Sequence, residues 1–96
     1  MVEENRKTMY YILTYDIGSP KRLPKLLKIC RKYLNWVQNS VFEGELTKAQ
    51  FDLLYERIKF VIDKKTDSVL FYELRNREVF ERSVLGIEKN EITYMI

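Results

Sequence analysis

Apolar positions along the chain switch between a two-residue and a three-to-four-residue rhythm. Met9 to Ile17, MYYILTYDI, is aromatic and β-branched and is closed by Gly18-Ser19-Pro20, which predicts a strand. Alternation puts Tyr10, Ile12, Thr14 and Asp16 on one side and Met9, Tyr11, Leu13 and Tyr15 on the other. Both sides are apolar for most of the length, so each face of the sheet needs a cover. Leu23, Leu26, Leu27, Cys30, Tyr33 and Leu34 then recur at helical spacing and predict an amphipathic first helix. Its start is open. Ser19-Pro20 reads as a cap followed by proline at the first helical position, but Pro24 could not then bond back to Pro20, so the helix begins near Leu23 or has an irregular first turn.

Asn35 to Leu46, NWVQNSVFEGEL, is a second β region, either two strands or one bent strand, with Gln38-Asn39 or Glu43-Gly44 as the break. Thr47 with Gln50 three residues on is a capping-box signature. It opens a second helix whose buried stripe is Phe51, Leu54, Ile58 and Val61 or Ile62, ending near Asp63. KKTD is a loop, Ser68 to Leu74 a strand, and the final ITYMI one more short strand after a polar stretch. The order β-α-β-β-α-β predicts an α+β, ferredoxin-like fold with an extra C-terminal strand. The uncovered sheet face predicts a homodimer packed sheet to sheet, with the terminal strand at a sheet edge.

At 96 residues the expectation is one domain spanning 1–96, with a polar extension over 1–8 and a dimer-swapped segment over 75–96. Such a chain buries only roughly 60–65% of its unfolded surface, which makes a partner useful. With 46% hydrophobic and 32% charged residues the composition is globular. No apolar run approaches the ~18–20 residues that span a bilayer, and MVEENRKT is unlike a signal peptide, which points to the cytoplasm. One cysteine and no histidine exclude an intramolecular disulfide and a His/Cys zinc site, so any metal is a hard cation held by oxygen.

Charge sharpens the picture. Net charge is only +3, yet no residue from Ile17 to Phe42 is acidic. Lys21, Arg22, Lys25, Lys28, Arg31 and Lys32 give up the mixed-sign pairing of an ordinary solvated helix face, as a phosphate-binding surface would. Arg75 and Arg77 either extend that surface or belong to an ordinary charged loop. Asp16, ending the strand expected at the centre, has two readings: a cap for the Gly18-Ser19-Pro20 turn, which the residues alone favour, or a hydrated metal ligand. Glu43 and Glu45 fall on one solvent-facing side of a strand, Cys30 in the apolar helix stripe, and Trp36 packs rather than stacks on a base.

YILTYDI followed by a basic helix, then VQNSVFEGEL, then DSVLFYEL resembles the CRISPR-associated Cas-two family over about Met9 to Leu74, with QNSVFEGEL the most specific piece. The resemblance implies a ferredoxin-like dimer whose C-terminal strand joins the partner. It also implies an assembly with the Cas-one integrase that inserts duplex DNA into the CRISPR array. For some members it implies a Mg²⁺-dependent endonuclease acting on single-stranded RNA or duplex DNA. It makes Asp16 the catalytic and metal-binding acid, paired with its symmetry mate, and reverses the turn-cap preference. Tyr15, Ser40 and Phe42 match the family's supporting positions, and Lys21, Arg22, Lys25, Arg75 and Arg77 become candidate nucleic-acid contacts. Where many members carry arginine this chain has Pro24, so Arg22 or Lys25 would substitute. Three readings follow: a DNA-holding adaptor for Cas-one, a nuclease, or a ferredoxin-like RNA-binding or regulatory module with Tyr10 as an exposed stacking aromatic, although the glycine-rich signature of such modules is absent.

Overall fold

The computed structural model describes residues 7–75. Its elements are β1 (Thr8–Asp16), α1 (Leu23–Tyr33), β2 (Asn35–Gln38), β3 (Val41–Thr47), α2 (Lys48–Val61) and β4 (Ser68–Leu74). The four strands form one antiparallel sheet in the order β2-β3-β1-β4, with β1 hydrogen-bonded on both edges. This is the α+β, ferredoxin-like arrangement expected from the pattern. The terminal ITYMI strand, Arg77 and most of the 1–8 extension lie outside the described residues.

Both helices pack on the face that carries Tyr11 and Leu13 of β1, Phe42 and Leu46 of β3, and Phe71 of β4; Leu26, Cys30, Leu54 and Ile58 meet them there. Rings tie α2 to the sheet. Tyr11 stacks on Phe51 at 4.6 Å between centroids, and Phe51 meets Phe71 edge-on at 5.1 Å. Cys30 is core, and burial pushes its thiol up to about 12.

The two open questions of local structure resolve on backbone grounds. Helix α1 begins at Leu23, so Pro24 falls at its second position, where an N–H would have no intrahelical acceptor. Residues 20–22 form a turn in which the Arg22 and Leu23 N–H groups both donate to the Ser19 carbonyl at 3.2 Å. The second β region breaks at Gln38-Asn39, because Asn39 takes a left-handed conformation (φ 42°) that asparagine tolerates. Gly44 continues β3 instead of breaking it. A Cβ there would stand 3.1 Å from Leu34 Cδ2, so the absence of a side chain lets the end of α1 close over the sheet. The capping box forms as expected: Gln50 N–H donates to Thr47 Oγ1 at 3.1 Å and Thr47 N–H to Gln50 Oε1 at 2.8 Å. Helix α2 stops at Val61, two residues short of the expected end, since Asp63 is drawn into the following loop.

The opposite face of the sheet is uneven. Leu70 and Tyr72 of β4 are each 52% exposed, whereas Glu43, expected to face solvent, is only 2% exposed. The Tyr10 hydroxyl donates to Glu43 Oε1 at 2.7 Å, which meets one of the polar demands that burial places on the carboxyl.

Leu13 is fully buried and Phe60 is 90% exposed, so the two separate core from surface cleanly. Leu13→Ala is expected to cost about 2–5 kcal/mol, read as a lower urea midpoint at unchanged slope. Phe60→Ser should stay within about 0.5 kcal/mol of the parent.

Candidate functional site

Antiparallel pairing brings Asp16 opposite Ser68 at one end of the sheet, on the face away from the helices, and leaves its side chain exposed. The turn that follows leads straight into α1. Lys21 sits in that turn, and Lys25, Lys28 and Lys32 recur at i, i+3 and i+7, which places them along one side of the helix over about 10 Å. All four are exposed. None has an ion-pair partner among the described residues, and the first turn of α1 holds no acid. The basic stripe therefore begins in the turn that follows Asp16 in the chain and runs along α1.

Tyr15, Ser40 and Phe42 are brought together next to Asp16. The Tyr15 N–H donates to the Ser40 carbonyl at 3.2 Å, and the Tyr15 and Phe42 rings lie 6.2 Å apart. The Asn39 carbonyl accepts from both the Tyr15 hydroxyl (3.2 Å) and Trp36 Nε1 (3.1 Å), so two rings clamp the β2–β3 turn against the end of β1. Burial holds the Tyr15 hydroxyl above its ordinary range. Trp36 is thus a packed and bonded residue, as its strand position suggested.

Arg22 is not the free cation that the basic run implied. Its Nε donates to Asp67 Oδ2 at 2.7 Å and its Nη2 to Asp67 Oδ1 at 2.9 Å, a bidentate fork, with Thr66 Oγ1 a further acceptor at 3.0 Å. The Asp67 side chain is 0% exposed. It also accepts from the Gly18 N–H at 2.8 Å and the Asp63 N–H at 2.8 Å. Reasoning from sequence passed Asp67 over, because its partners Arg22 and Gly18 lie 45 and 49 residues away in the chain. The only local signal was a short polar residue ending a loop before a strand.

Two further expectations change. Arg75 does not extend the Lys21–Lys25 surface within one chain. Strand β4 runs antiparallel to β1, so Arg75 lies past Leu74, beside Tyr10, about 20 Å along the strand from the Ser68 end. Tyr10 is buried and bonded to Glu43, so it cannot serve as an exposed stacking platform. At the same end of β1, Tyr11 donates to Glu73 Oε2 at 3.3 Å, and burial together with that carboxylate pushes its hydroxyl up to about 12.

Among the described residues no three Asp, Glu, Cys or His side chains converge as a metal cage, and no helix is long and apolar enough to cross a membrane. The Asp67 side chain is covered and fully bonded, whereas the Asp16 side chain is exposed at this end of the sheet.

Comparison with known proteins identifies the family. The description "CRISPR associated protein Cas2" matches residues 9–82. The chain belongs to the Cas2 family. Cas2 relatives named CRISPR-associated endoribonuclease include one from Dictyoglomus turgidum, 48% identical over 86% of this chain and 94% of its own length. Another, from Pyrococcus furiosus, is 49% identical over 92% of this chain and 100% of its own. A solved Cas2 structure superposes with a TM-score of 0.80 at 39% identity, covering 93% of this chain and 99% of that one.

The Arg22 fork, followed by the Asp63 and Gly18 N–H groups, holds the Asp67 carboxyl well below its ordinary 3.8. A carboxylate with a depressed folded pKa contributes stability above its unfolded pKa and loses it as pH falls toward the folded value. Parent protein is therefore expected to lose thermal stability progressively below about pH 4. Asp67→Asn should start several degrees lower at neutral pH and show a flatter acid limb, the two curves converging at the lowest pH. A melting series across pH for both proteins measures this.

Proposed function

We propose that the chain is the small, DNA-holding subunit of CRISPR spacer acquisition. In this reading it works as a homodimer that binds duplex DNA and bridges Cas-one dimers in the cytoplasm, with a separable Mg²⁺-dependent nuclease activity at Asp16. The observation that carries it is the unpaired lysine stripe Lys21, Lys25, Lys28 and Lys32, which begins in the turn after an exposed strand-end carboxylate. A stripe of about 10 Å faces roughly three base steps of a phosphate backbone, without any means of reading bases.

The dimer reading rests on the sheet face that bears Asp16. Leu70 and Tyr72 expose apolar surface on that face of β4, alongside Ser68 and Asp16. Packing a second copy there covers them, and a swapped 75–96 segment would cover the edge of β4 that no described strand pairs with. Two Asp16 carboxylates near a two-fold axis repel unless a cation lies between them.

One carboxylate per chain suits Mg²⁺, which is held by one or two carboxylates together with waters and substrate phosphates. Mg²⁺ bound there would polarise a scissile phosphate and lower the pKa of a bound water. Asp16 is the ligand in this scheme. Lys21 and Lys25 offset charge on the phosphate, while the Tyr15 hydroxyl is committed to the Asn39 carbonyl and takes no part in proton transfer. Single-stranded RNA is the substrate that the relatives' name, endoribonuclease, favours, with duplex DNA the alternative. Arg22 is occupied by Asp67, so neither DNA holding nor transition-state stabilisation is assigned to it.

Two measurements separate holding from cutting. Cleavage of single-stranded RNA and duplex DNA is expected to require Mg²⁺, to stop with EDTA, and to fall at least a hundredfold in Asp16→Asn; equal activity in that variant would remove Asp16 from the chemistry. Duplex affinity is expected to fall steeply with salt. Replacing Lys25, Lys28 and Lys32 together by Gln should reduce the steepness of log K against log salt by about 2–3 per chain, and an unchanged slope would place the DNA elsewhere.

A further inference from the structure

We propose that Asp67 is a positioning residue for Asp16, acting with Arg22 as a strut between the loop that follows β1 and the loop that precedes β4. This rests on the reading of Asp16 as a metal ligand and extends it to residues that never touch the metal.

The geometry is specific. Asp67 immediately precedes Ser68, the residue paired with Asp16, and Gly18 lies two residues beyond Asp16. The Asp67 carboxylate therefore reaches the Asp16 loop both through the β4–β1 ladder and through its own bond to the Gly18 N–H at 2.8 Å. Its Oδ1 accepts from Gly18 N–H, Arg22 Nη2 and Thr66 Oγ1, and its Oδ2 from Arg22 Nε and Asp63 N–H. The four bonds from Gly18, Arg22 and Asp63 match the roughly four lone-pair sites of one carboxylate, and the longer Thr66 contact at 3.2 Å shares Oδ1 with two of them.

Each donor belongs to a segment whose place matters. Gly18 fixes the exit from β1, Arg22 caps α1 with Lys21 before it and Lys25 after it, and Asp63 closes the end of α2. The loops also touch as backbone. A Cβ at Gly18 would stand 3.3 Å from the Thr66 carbonyl oxygen, so the approach leaves little room there. A carboxylate on a strand end is otherwise free to follow its loop, and misplacement of a ligand or a phosphate contact by about 1 Å is enough to lower activity by orders of magnitude. The strut holds Asp16 and Lys21 at a set separation before metal or nucleic acid arrives. It also explains why an arginine in the middle of the basic run faces inward.

Asp67→Asn keeps the size but turns one acceptor into a donor facing N–H groups, and it loses the fork to Arg22. Arg22→Lys keeps the charge and loses the fork alone, and it serves if Asp67→Asn fails to fold. Phe60→Ser is the control, since Phe60 is 90% exposed on α2 and lies outside the strut.

The test is a Mn²⁺ titration of the full-length protein, read from paramagnetic broadening of the Ile17 and Gly18 amides. It is run on the parent, the three variants and Asp16→Asn well below the lowest melting temperature, with RNA cleavage measured alongside. Expected results are Mn²⁺ affinity weaker by about tenfold or more in Asp67→Asn and Arg22→Lys, a matching fall in kcat at similar KM, no change in Phe60→Ser, and loss of broadening in Asp16→Asn. The double variant should be no worse than the poorer single one, because both act through one strut. Parent-like Mn²⁺ affinity in folded Asp67→Asn and Arg22→Lys, with binding lost in Asp16→Asn, overturns the positioning role alone. Parent-like affinity in Asp16→Asn overturns the metal reading of Asp16, and the positioning role with it.

Discussion

The whole arrangement depends on β1 being hydrogen-bonded on both edges. A strand flanked by β3 and β4 cannot slip without breaking two ladders, and a slip of one residue would exchange Tyr11 and Leu13 with Tyr10 and Ile12. Register thus decides at once which rings meet the helices and which face Asp16 occupies. The core under the helices and the carboxylate at the strand end are two consequences of one pairing. Phe42, opposite Leu13 and in contact with Tyr15, shows the link: it is core packing that touches the residue before Asp16.

What was legible in the sequence was whatever depends on neighbours in the chain. The period of MYYILTYDI, the Thr47/Gln50 cap and the bounds of SVLFYEL each follow from residues within a few positions, and all three appear in the structure. The two ambiguous stretches were ambiguous for the same reason. Whether Gln38-Asn39 or Glu43-Gly44 breaks the second β region depends on where Leu34 returns across the sheet, and Leu34 touches Gly44 only after folding.

The site was legible in part. Asp16 and the lysines could be read as a carboxylate and a basic helix, because composition and spacing carry both. Arg22 could not be told from its basic neighbours, since a cation facing solvent and one forked onto an acid across the fold have the same local sequence. Arg75 was left with two readings for a topological reason: closeness to the end of a strand says nothing until the direction of that strand is known. Glu43 was read by alternation alone, which gives the side of a strand but not what lies against it.

The lysine stripe has a cost for the helix that bears it. Like charges three, four and seven residues apart repel, by roughly 0.2–0.5 kcal/mol for each close pair, and Lys25 in the first turn opposes the helix dipole. Helix α1 is held by Leu26 and Cys30 against that repulsion, so its charges are strained while they face only water. A phosphate backbone relieves the strain, and so do dissolved ions. Salt therefore pulls this protein in two directions, firming the free fold while loosening its hold on nucleic acid.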